Sequence, residues 1–338
     1  MLKTPTRRAP PSEPAPYRPV LSDAARPSTF DVEAIDEHGE RRSVPIAGEH
    51  PLTIYVDKRE LLTIMTLGAA PEALAIGYLR NQRLVERIED IASVQVDWDT
   101  NAVAITTRGG LKDLDEKTAK RTKTTGCGQG TVFGDLMDEI ERVSLPAGAT
   151  LTRAALYDLL DRVRLHETIY KQAGAVHGCA LAGNAGDACE ILMFVEDVGR
   201  HNAVDAIAGR MWLDRLEGGD KVFYTTGRLT SEMVIKCAQM GIPFLVSRSG
   251  LTQMGHEIAR KVGMTMIGRA TNRHFLLFTG AERFRPWARA RPAEAAIAAP
   301  SGSSPGSRRA SSRTATARAA AARMAPRSSP GPVSRPRR

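Results

Sequence analysis

Only four of the 338 residues are cysteine, and Cys127, Cys179, Cys189 and Cys237 include no C-x-x-C pair. A disulfide framework is therefore excluded as the organising device, and so are the zinc folds that bring thiols together in close pairs. No run of about 20 apolar residues occurs, so the sequence predicts no membrane-spanning helix. Arg7-Arg8 is followed by Ala9-Pro10-Pro11-Ser12-Glu13, without the apolar stretch that an export signal carries behind its basic start. These absences predict reduced thiols in a cytoplasmic protein that has no membrane partner. Acidic residues are almost missing from Arg285 to Arg338, which hold twelve Arg, no Lys and the single acid Glu294. The formal charge of +9 thus belongs to that tail, and residues 1–284 sum to −2. A nearly neutral body lacks the electropositive footprint of a nucleic-acid-binding domain, so no nucleic-acid partner is expected.

What is present divides the chain into five stretches. Residues 1–28 hold seven prolines and too little apolar surface to offset the entropy of ordering, which predicts a disordered Pro-rich tail. Residues 29–125 predict a small α+β domain. Leu52–Val56 and Glu60–Met65 are β-rich runs around a turn at Asp57-Lys58-Arg59, and Pro71 suits the first turn of a helix carrying Leu74, Ile76, Leu79 and Leu84. Val94–Val96 and Val103–Thr107 add two strands. Residues 126–150 form a Gly-rich connection that contains Cys127. In residues 151–284 a helix capped by Thr152 and running to about Tyr170 is followed by a hairpin over Val176–Leu181 and Glu190–Val195. Strands at 221–225, 243–247 and 264–268 then alternate with helices at 202–216, 230–240 and 252–262, and His274–Thr279 supplies a last edge strand. That alternation predicts βαβ units and a largely parallel sheet with helices on its faces. Residues 285–338 read as a disordered Ala/Ser/Pro/Arg-rich tail.

Chemistry concentrates at two kinds of place. Cys127 sits in Thr124-Thr125-Gly126-Cys127-Gly128-Gln129-Gly130, with Lys117, Lys120, Arg121 and Lys123 ahead of it. Neighbouring cations favour the thiolate, and glycines on both sides favour access, so this pattern points to a nucleophile rather than a buried thiol. The other place is the ends of the strands. Val195–Asn202, Thr225–Ser231 and Val246–Gly250 each put small, hydroxylated or charged residues where a strand stops, the edge at which open α/β sheets take ligands. Three such turns suit phosphates or a guanine-like edge; a charged turn with a capping role is the alternative for Val195–Asn202. A basic cluster, Arg269-Ala270-Thr271-Asn272-Arg273-His274, closes the last repeat. Its choice lies between an anionic ligand and a solvated turn.

Glu196-Asp197-Val198-Gly199-Arg200-His201-Asn202-Ala203, Thr226-Gly227-Arg228, Ser231-Glu232-Met233-Val234 and the segment from Ile267-Gly268 to Phe275–Gly280 resemble the formate dehydrogenase accessory family, the FdhD/NarQ sulfur carriers. The resemblance runs over nearly all of residues 50–280. It implies an α/β fold: a cytidine-deaminase-like α/β/α layered domain without zinc, joined to a smaller N-terminal α+β domain. It further implies a sulfurtransferase-type carrier rather than a conventional turnover enzyme. In the family a cysteine desulfurase delivers sulfur as a persulfide to a loop cysteine. The carrier passes it to bis-molybdopterin guanine dinucleotide (Mo-bis-MGD) before that cofactor enters formate dehydrogenase. Cys127 matches the loop cysteine, and Arg269, Ala270, Thr271, Asn272, Arg273 and His274 match the cofactor-contacting segment; no metal of the protein's own is implied.

The family pattern often reads Cys-Gly-x-Cys, whereas here Cys127-Gly128-Gln129 is followed by Gly130. One thiol suffices for carriage, yet the missing second one opens another expectation: a chaperone that escorts the pterin without transferring sulfur. A zinc deaminase is a third expectation and a poorer one, because Cys179 in His177-Gly178-Cys179 stands where an H-x-E motif needs its glutamate. The client that the resemblance implies is the catalytic subunit of a formate dehydrogenase, and a homodimer is one expected assembly.

Overall fold

The computed structural model describes residues 17–110, 140 and 143–286, all within one compact unit. Its smaller sheet has the order β1-β6-β7-β4-β5, from β1 (Val20–Leu21), β4 (His50–Val56), β5 (Arg59–Thr66), β6 (Ile91–Asp97) and β7 (Ala102–Thr107). The alternation of Leu52, Ile54 and Val56 turns one face of β4 inward. Asp57 and Lys58 both take positive φ (48° and 70°), the tight-turn geometry that returns the chain into β5. Helix α1 (Pro71–Asn81) covers the inner face and begins on proline, where a missing N–H costs nothing. A separate hairpin, β2 (Thr29–Ile35) with β3 (Arg41–Ala47), joins neither large sheet.

Residues 17–28, expected in a disordered tail, are instead laid along the smaller sheet. Val20 and Leu21 pair in parallel with Ser93 and Val94, the Tyr17 hydroxyl donates to the Ile91 carbonyl (2.5 Å), and the Trp98 indole donates to the Ala24 carbonyl (2.5 Å). The prolines suit an edge segment that needs few ladder hydrogen bonds. The rest of the Pro-rich stretch, most of the Gly-rich connection and nearly all of the Arg-rich tail lie outside the described residues.

The larger sheet has the order β10-β9-β11-β12-β13-β14. Its members are β9 (His177–Ala185), β10 (Ala188–Asp197), β11 (Lys221–Thr225), β12 (Phe244–Ser247), β13 (Thr265–Thr271) and β14 (His274–Thr279). It corrects the expectation of a largely parallel sheet. Among neighbouring strands only β11–β12 and β12–β13 are parallel, each joined through a crossover helix; β9 is inserted antiparallel between β10 and β11, and β14 returns antiparallel to β13. Helix α2 (Arg153–His166) is capped as expected, with Thr152 Oγ1 accepting from the Ala155 amide (3.1 Å). It stops thirteen residues later rather than running on to 170, and a short α3 (Ile169–Ala173) follows. Helices α4 (Arg200–Leu213), α5 (Ser231–Gln239) and α6 (Gln253–Val262) complete the unit. Two strands of two residues, β8 (Leu151–Thr152) and β15 (Phe284–Arg285), pair beside α2.

Alternate residues of each central strand feed different cores. Ala180, Ala182, Val222, Tyr224, Phe244 and Val246 pack with Leu156, Leu159 and Leu160 of α2. Cys179, Leu181, Phe223 and Leu245 pack with α4, α5 and α6, and that second core continues without a break through α1 into Leu52, Ile54 and Val103 of the smaller sheet. The fold is therefore mixed α/β, with two sheets joined by a shared core rather than two cores joined by a linker. The joint is the crossing of α1 and α4. A Cβ built on Gly77 would stand 1.7 Å from the Asp205 carbonyl oxygen, and one on Gly209 would stand 1.9 Å from the Ala73 carbonyl oxygen. Backbone meets backbone here, so neither position has room for a methyl group.

Replacing Gly77 by alanine should lower stability by on the order of 2 kcal/mol or more, although helix propensity alone would raise it by about 1 kcal/mol. Urea denaturation of the two proteins reads the sign directly. A stabilised Gly77→Ala variant would show that the helices are not in contact.

Candidate functional site

The carboxyl ends of β11, β12 and β13, the start of β9 and the start of α4 share one edge of the larger sheet. β11 runs into Thr226-Gly227-Arg228, whose backbone is held by side chains of the neighbouring strands. Thr226 Oγ1 accepts from the Gly178 amide (3.1 Å), Thr225 Oγ1 accepts from the Gly227 amide (3.1 Å), and Ser247 Oγ donates to the Gly227 carbonyl (2.6 Å). Gly227 is required because the Arg200 side chain lies across it: a Cβ there would stand 2.6 Å from Arg200 Cδ. The turn after β12 is tied in the same way, the Arg248 amide donating to the Thr225 carbonyl (3.2 Å) and the Ser249 amide to Ser247 Oγ (2.9 Å). The hydroxyl-rich strand ends thus act as a rigid frame, and what they present outward is cationic.

Arg200, Arg228 and Arg248 come from three different turns and all act on His177. Burial first, and then the charges of Arg200, Arg248 and Arg228, hold the His177 imidazole below its ordinary value, so it is neutral near pH 7. Its Nδ1 lies 3.3 Å from Thr226 Oγ1. Arg248 also reaches Glu167 Oε1 (3.3 Å) and lies over the Tyr170 ring, 5.1 Å from its centroid. Glu167 and Tyr170 were not anticipated as part of this edge. The sequence reads as one helix across them, and the signal that could have revealed the break is Thr168, a residue that starts helices more readily than it continues them.

The structure resolves the choice left open at Glu196 and Asp197 in favour of capping. Glu196 is buried and accepts from the amides of Thr168 (3.1 Å), Ile169 (2.9 Å) and Tyr170 (2.9 Å), closing the N-terminus of α3. Asp197 accepts from Thr66 Oγ1 (2.5 Å) and the Leu67 amide (3.1 Å) of the smaller sheet's exit, and from the Gly199 amide (3.0 Å) and Asn202 Nδ2 (2.6 Å). Neither carboxylate faces a ligand. Behind the edge lies a buried polar chain. Lys236 Nζ stands 2.8 Å from Asp205 Oδ2 and 3.4 Å from Glu232 Oε1, Asn81 Nδ2 donates to Asp205 Oδ1 (2.7 Å), and His201 Nδ1 lies 3.4 Å from Glu232 Oε2. Burial alone would push the Lys236 ammonium down, but Asp205 and Glu232 more than offset it and hold it above its ordinary value. His201 is pushed down to about 2 by burial, with Lys236 and Arg200 adding to the effect.

Cys127 and the cations that precede it lie outside the described residues. The other cysteines are fully buried. Burial pushes the thiols of Cys179 and Cys189 up to about 12, which makes them poor nucleophiles. Among the described residues no three His, Cys, Asp or Glu side chains are grouped to hold a metal ion. No helix there is long and apolar enough to cross a membrane.

The basic segment is split in two by its own backbone. Arg269, exposed and at φ 51°, donates its amide to the Ser249 carbonyl (2.8 Å) and so belongs to the strand edge. Ala270 is buried. Thr271 and His274 are exposed and face each other across the β13–β14 turn. Asn272 and Arg273 are turned toward α2: Asn272 Oδ1 accepts from Arg164 (2.9 Å), and Arg273 donates to Asp161 (2.8 Å) while its guanidinium covers Tyr157.

Residues 47–285 match the model of the FdhD/NarQ family. The sulfur carrier protein FdhD of Wolinella succinogenes is 28% identical over 256 residues, 76% of this chain and 88% of that protein. Its counterpart in Listeria monocytogenes serotype 4b is 30% identical over 240 residues, 70% of this chain and 90% of that protein. Among solved structures, a protein from Desulfotalea psychrophila assigned as a formate dehydrogenase accessory protein superposes with a TM-score of 0.61 at 26% identity, covering 76% of this chain and all of that one.

Lys236→Met leaves Asp205 and Glu232 buried without their cation and is expected to cost about 3–5 kcal/mol. Equilibrium denaturation of the variant checks this, and an unchanged midpoint would show that the carboxylates do not depend on Lys236.

Proposed function

This chain belongs to the FdhD/NarQ family, and on that premise we propose that it is a sulfur carrier that accepts sulfur from a cysteine desulfurase as a persulfide on Cys127. It passes the sulfur to Mo-bis-MGD before that cofactor is inserted into a formate dehydrogenase. The observation that carries the reading is the strand edge, where guanidiniums from three turns converge on a neutral imidazole above a hydroxyl-bonded frame. Such an edge suits the phosphate groups of a dinucleotide cargo. Arg269 extends it at the end of β13, and Ala270, Thr271, Asn272, Arg273 and His274 form the remainder of the proposed cofactor-contacting segment. The layered larger sheet, with α2 on one face and α4, α5 and α6 on the other, supports reading it as a cytidine-deaminase-like domain.

The chemistry asks little of the protein beyond a nucleophile and an orientation. The Cys127 thiolate attacks the outer sulfur of the desulfurase persulfide, the donor's S–S bond breaks, and its electron pair leaves on the donor thiolate. In delivery the outer sulfur is again the electrophile: Cys127 is now the leaving thiolate, and the cargo's molybdenum, oxidised by two electrons, supplies the pair of the new bond to sulfur. Lys120, Arg121 and Lys123 favour the anion in both steps. A reading without sulfur transfer, in which the chain only escorts the pterin, is favoured by Gly130 standing where the family pattern often has a second cysteine.

Incubation with a cysteine desulfurase and cysteine, followed by mass spectrometry, separates the two. A gain of one sulfur on the Cys127 peptide is expected, and Cys127→Ala should abolish both that gain and the activity of the client in cells. A formate dehydrogenase that stays active in cells carrying only Cys127→Ala would sink the carrier role.

A further inference from the structure

His177 opens β9 at the strand edge, and its surroundings define what it can do there. Thr226 Oγ1 accepts from the Gly178 amide (3.1 Å) and lies 3.3 Å from His177 Nδ1. One nitrogen of the neutral ring is thereby engaged by the hydroxyl, and the other is left for a ligand. The ring is half-buried, fixed by one hydrogen bond, and able to offer its second nitrogen outward. The charged groups around it come from every element packed against it. Arg200 and the buried, neutral His201 belong to α4, Arg228 to the turn after β11, and Arg248, paired with Glu167, to the turn after β12. On β10, Asp197 lies opposite His177 in the ladder and Glu196 next to it, but both carboxylates are engaged elsewhere, on the smaller sheet and on α3. The balance at the ring is positive.

We propose that His177 is a ligand-contacting residue of an oxyanion site formed with Thr226, Arg228 and Arg248, and that it takes up a proton when a phosphate dianion of the cargo enters. The inference rests on the reading of this edge as the holder of the cargo's phosphate groups. In the empty site burial first, and then the guanidiniums, keep the imidazole neutral; a bound dianion offsets the guanidiniums' field, adds its own attraction for a cation, and makes a ring nitrogen worth protonating. The sign follows from linkage. Between the low value of the empty site and the higher value of the filled one, binding absorbs a proton. Affinity therefore falls by up to about tenfold per pH unit as pH rises from the empty-site value to the filled-site value, and is level below the first and above the second.

Sulfate is the suitable probe, because it stays a dianion throughout pH 5–8 and any proton taken up belongs to the protein. With the full chain, the His177 ring resonance, identified by its loss in His177→Gln, is titrated with and without saturating sulfate. Its midpoint is expected to rise by at least about one pH unit, and calorimetry in buffers of different ionisation heat should show proton uptake on binding. His177→Gln should weaken sulfate binding about tenfold at pH 6 and flatten the pH profile, and Arg228→Gln should weaken binding at every pH. If sulfate binds but the His177 midpoint does not move and His177→Gln binds equally well, the proton-linked role is overturned while the strand-edge reading stands. No sulfate binding by the wild type at any pH overturns both. The calorimetric proton uptake of the wild type decides the matter even if the variant does not fold. Displacement of sulfate by guanosine diphosphate more strongly than by inorganic phosphate supports a nucleotide phosphate as the occupant, and displacement by inorganic phosphate alone overturns that source.

Discussion

Helices α1 and α4 cross with their backbones touching at Gly77 and Gly209, and the position of nearly every other element follows from that contact. Because α1 carries the smaller sheet and α4 begins at the ligand edge of the larger one, the closeness of the crossing sets the distance between the two sheets. It also explains why one apolar core runs through both. Side chains of any size at these two positions would hold the helices at the ordinary 8–10 Å separation and break that continuity. The buried chain from Asn81 through Asp205 and Lys236 to Glu232 sits beside the crossing. It fixes rotation where the glycines fix distance. Hydrogen-bonded charges of this kind specify an arrangement more than they stabilise it.

The strand edge gains its character from a division of labour between hydroxyls and guanidiniums. Thr225, Thr226 and Ser247 are buried and are used up in shaping the turns, which leaves Arg228 and Arg248 as the outward-facing chemistry, while Arg200 is buried across Gly227. Arg228 and Arg248 keep their charges within reach of solvent and so escape the full desolvation cost. The same division accounts for the sole use of glycine at 227, where the aliphatic part of Arg200 needs the space of a side chain.

Much of this was legible in the sequence, and what was missed has specific causes. The strands at 221–225 and 274–279 coincide with the observed ones, since both are short apolar runs bounded by strong turn residues. The helix from 153 was announced by its threonine cap, and those from 231 and 253 begin one residue later than their apolar spacing suggests. The β2–β3 hairpin was missed although Phe30, Val32 and Ala34 alternate with Asp31 and Glu33; its strands bury little and belong to neither large sheet, so no core position marks them. The placement of Tyr17 to Ala24 on the smaller sheet was missed because proline content speaks for local disorder and says nothing of a tertiary partner such as Ile91 or Trp98. At the site, the strand-end turns were found from their position alone. Their inner roles were not: which of Glu196, Asp197, Arg200 and His201 turns inward depends on neighbours more than a hundred residues away, such as Thr66.

Glu196 and Asp197 are consecutive on one strand, so their side chains leave it in opposite directions. One grips the first turn of α3, which carries Tyr170; the other grips Thr66 and Leu67 at the exit of the smaller sheet. A single peptide unit is therefore bolted on both sides. Any displacement of the aromatic flank that bears on Arg248 is passed, with no slack, to the opposite sheet across the width of one residue.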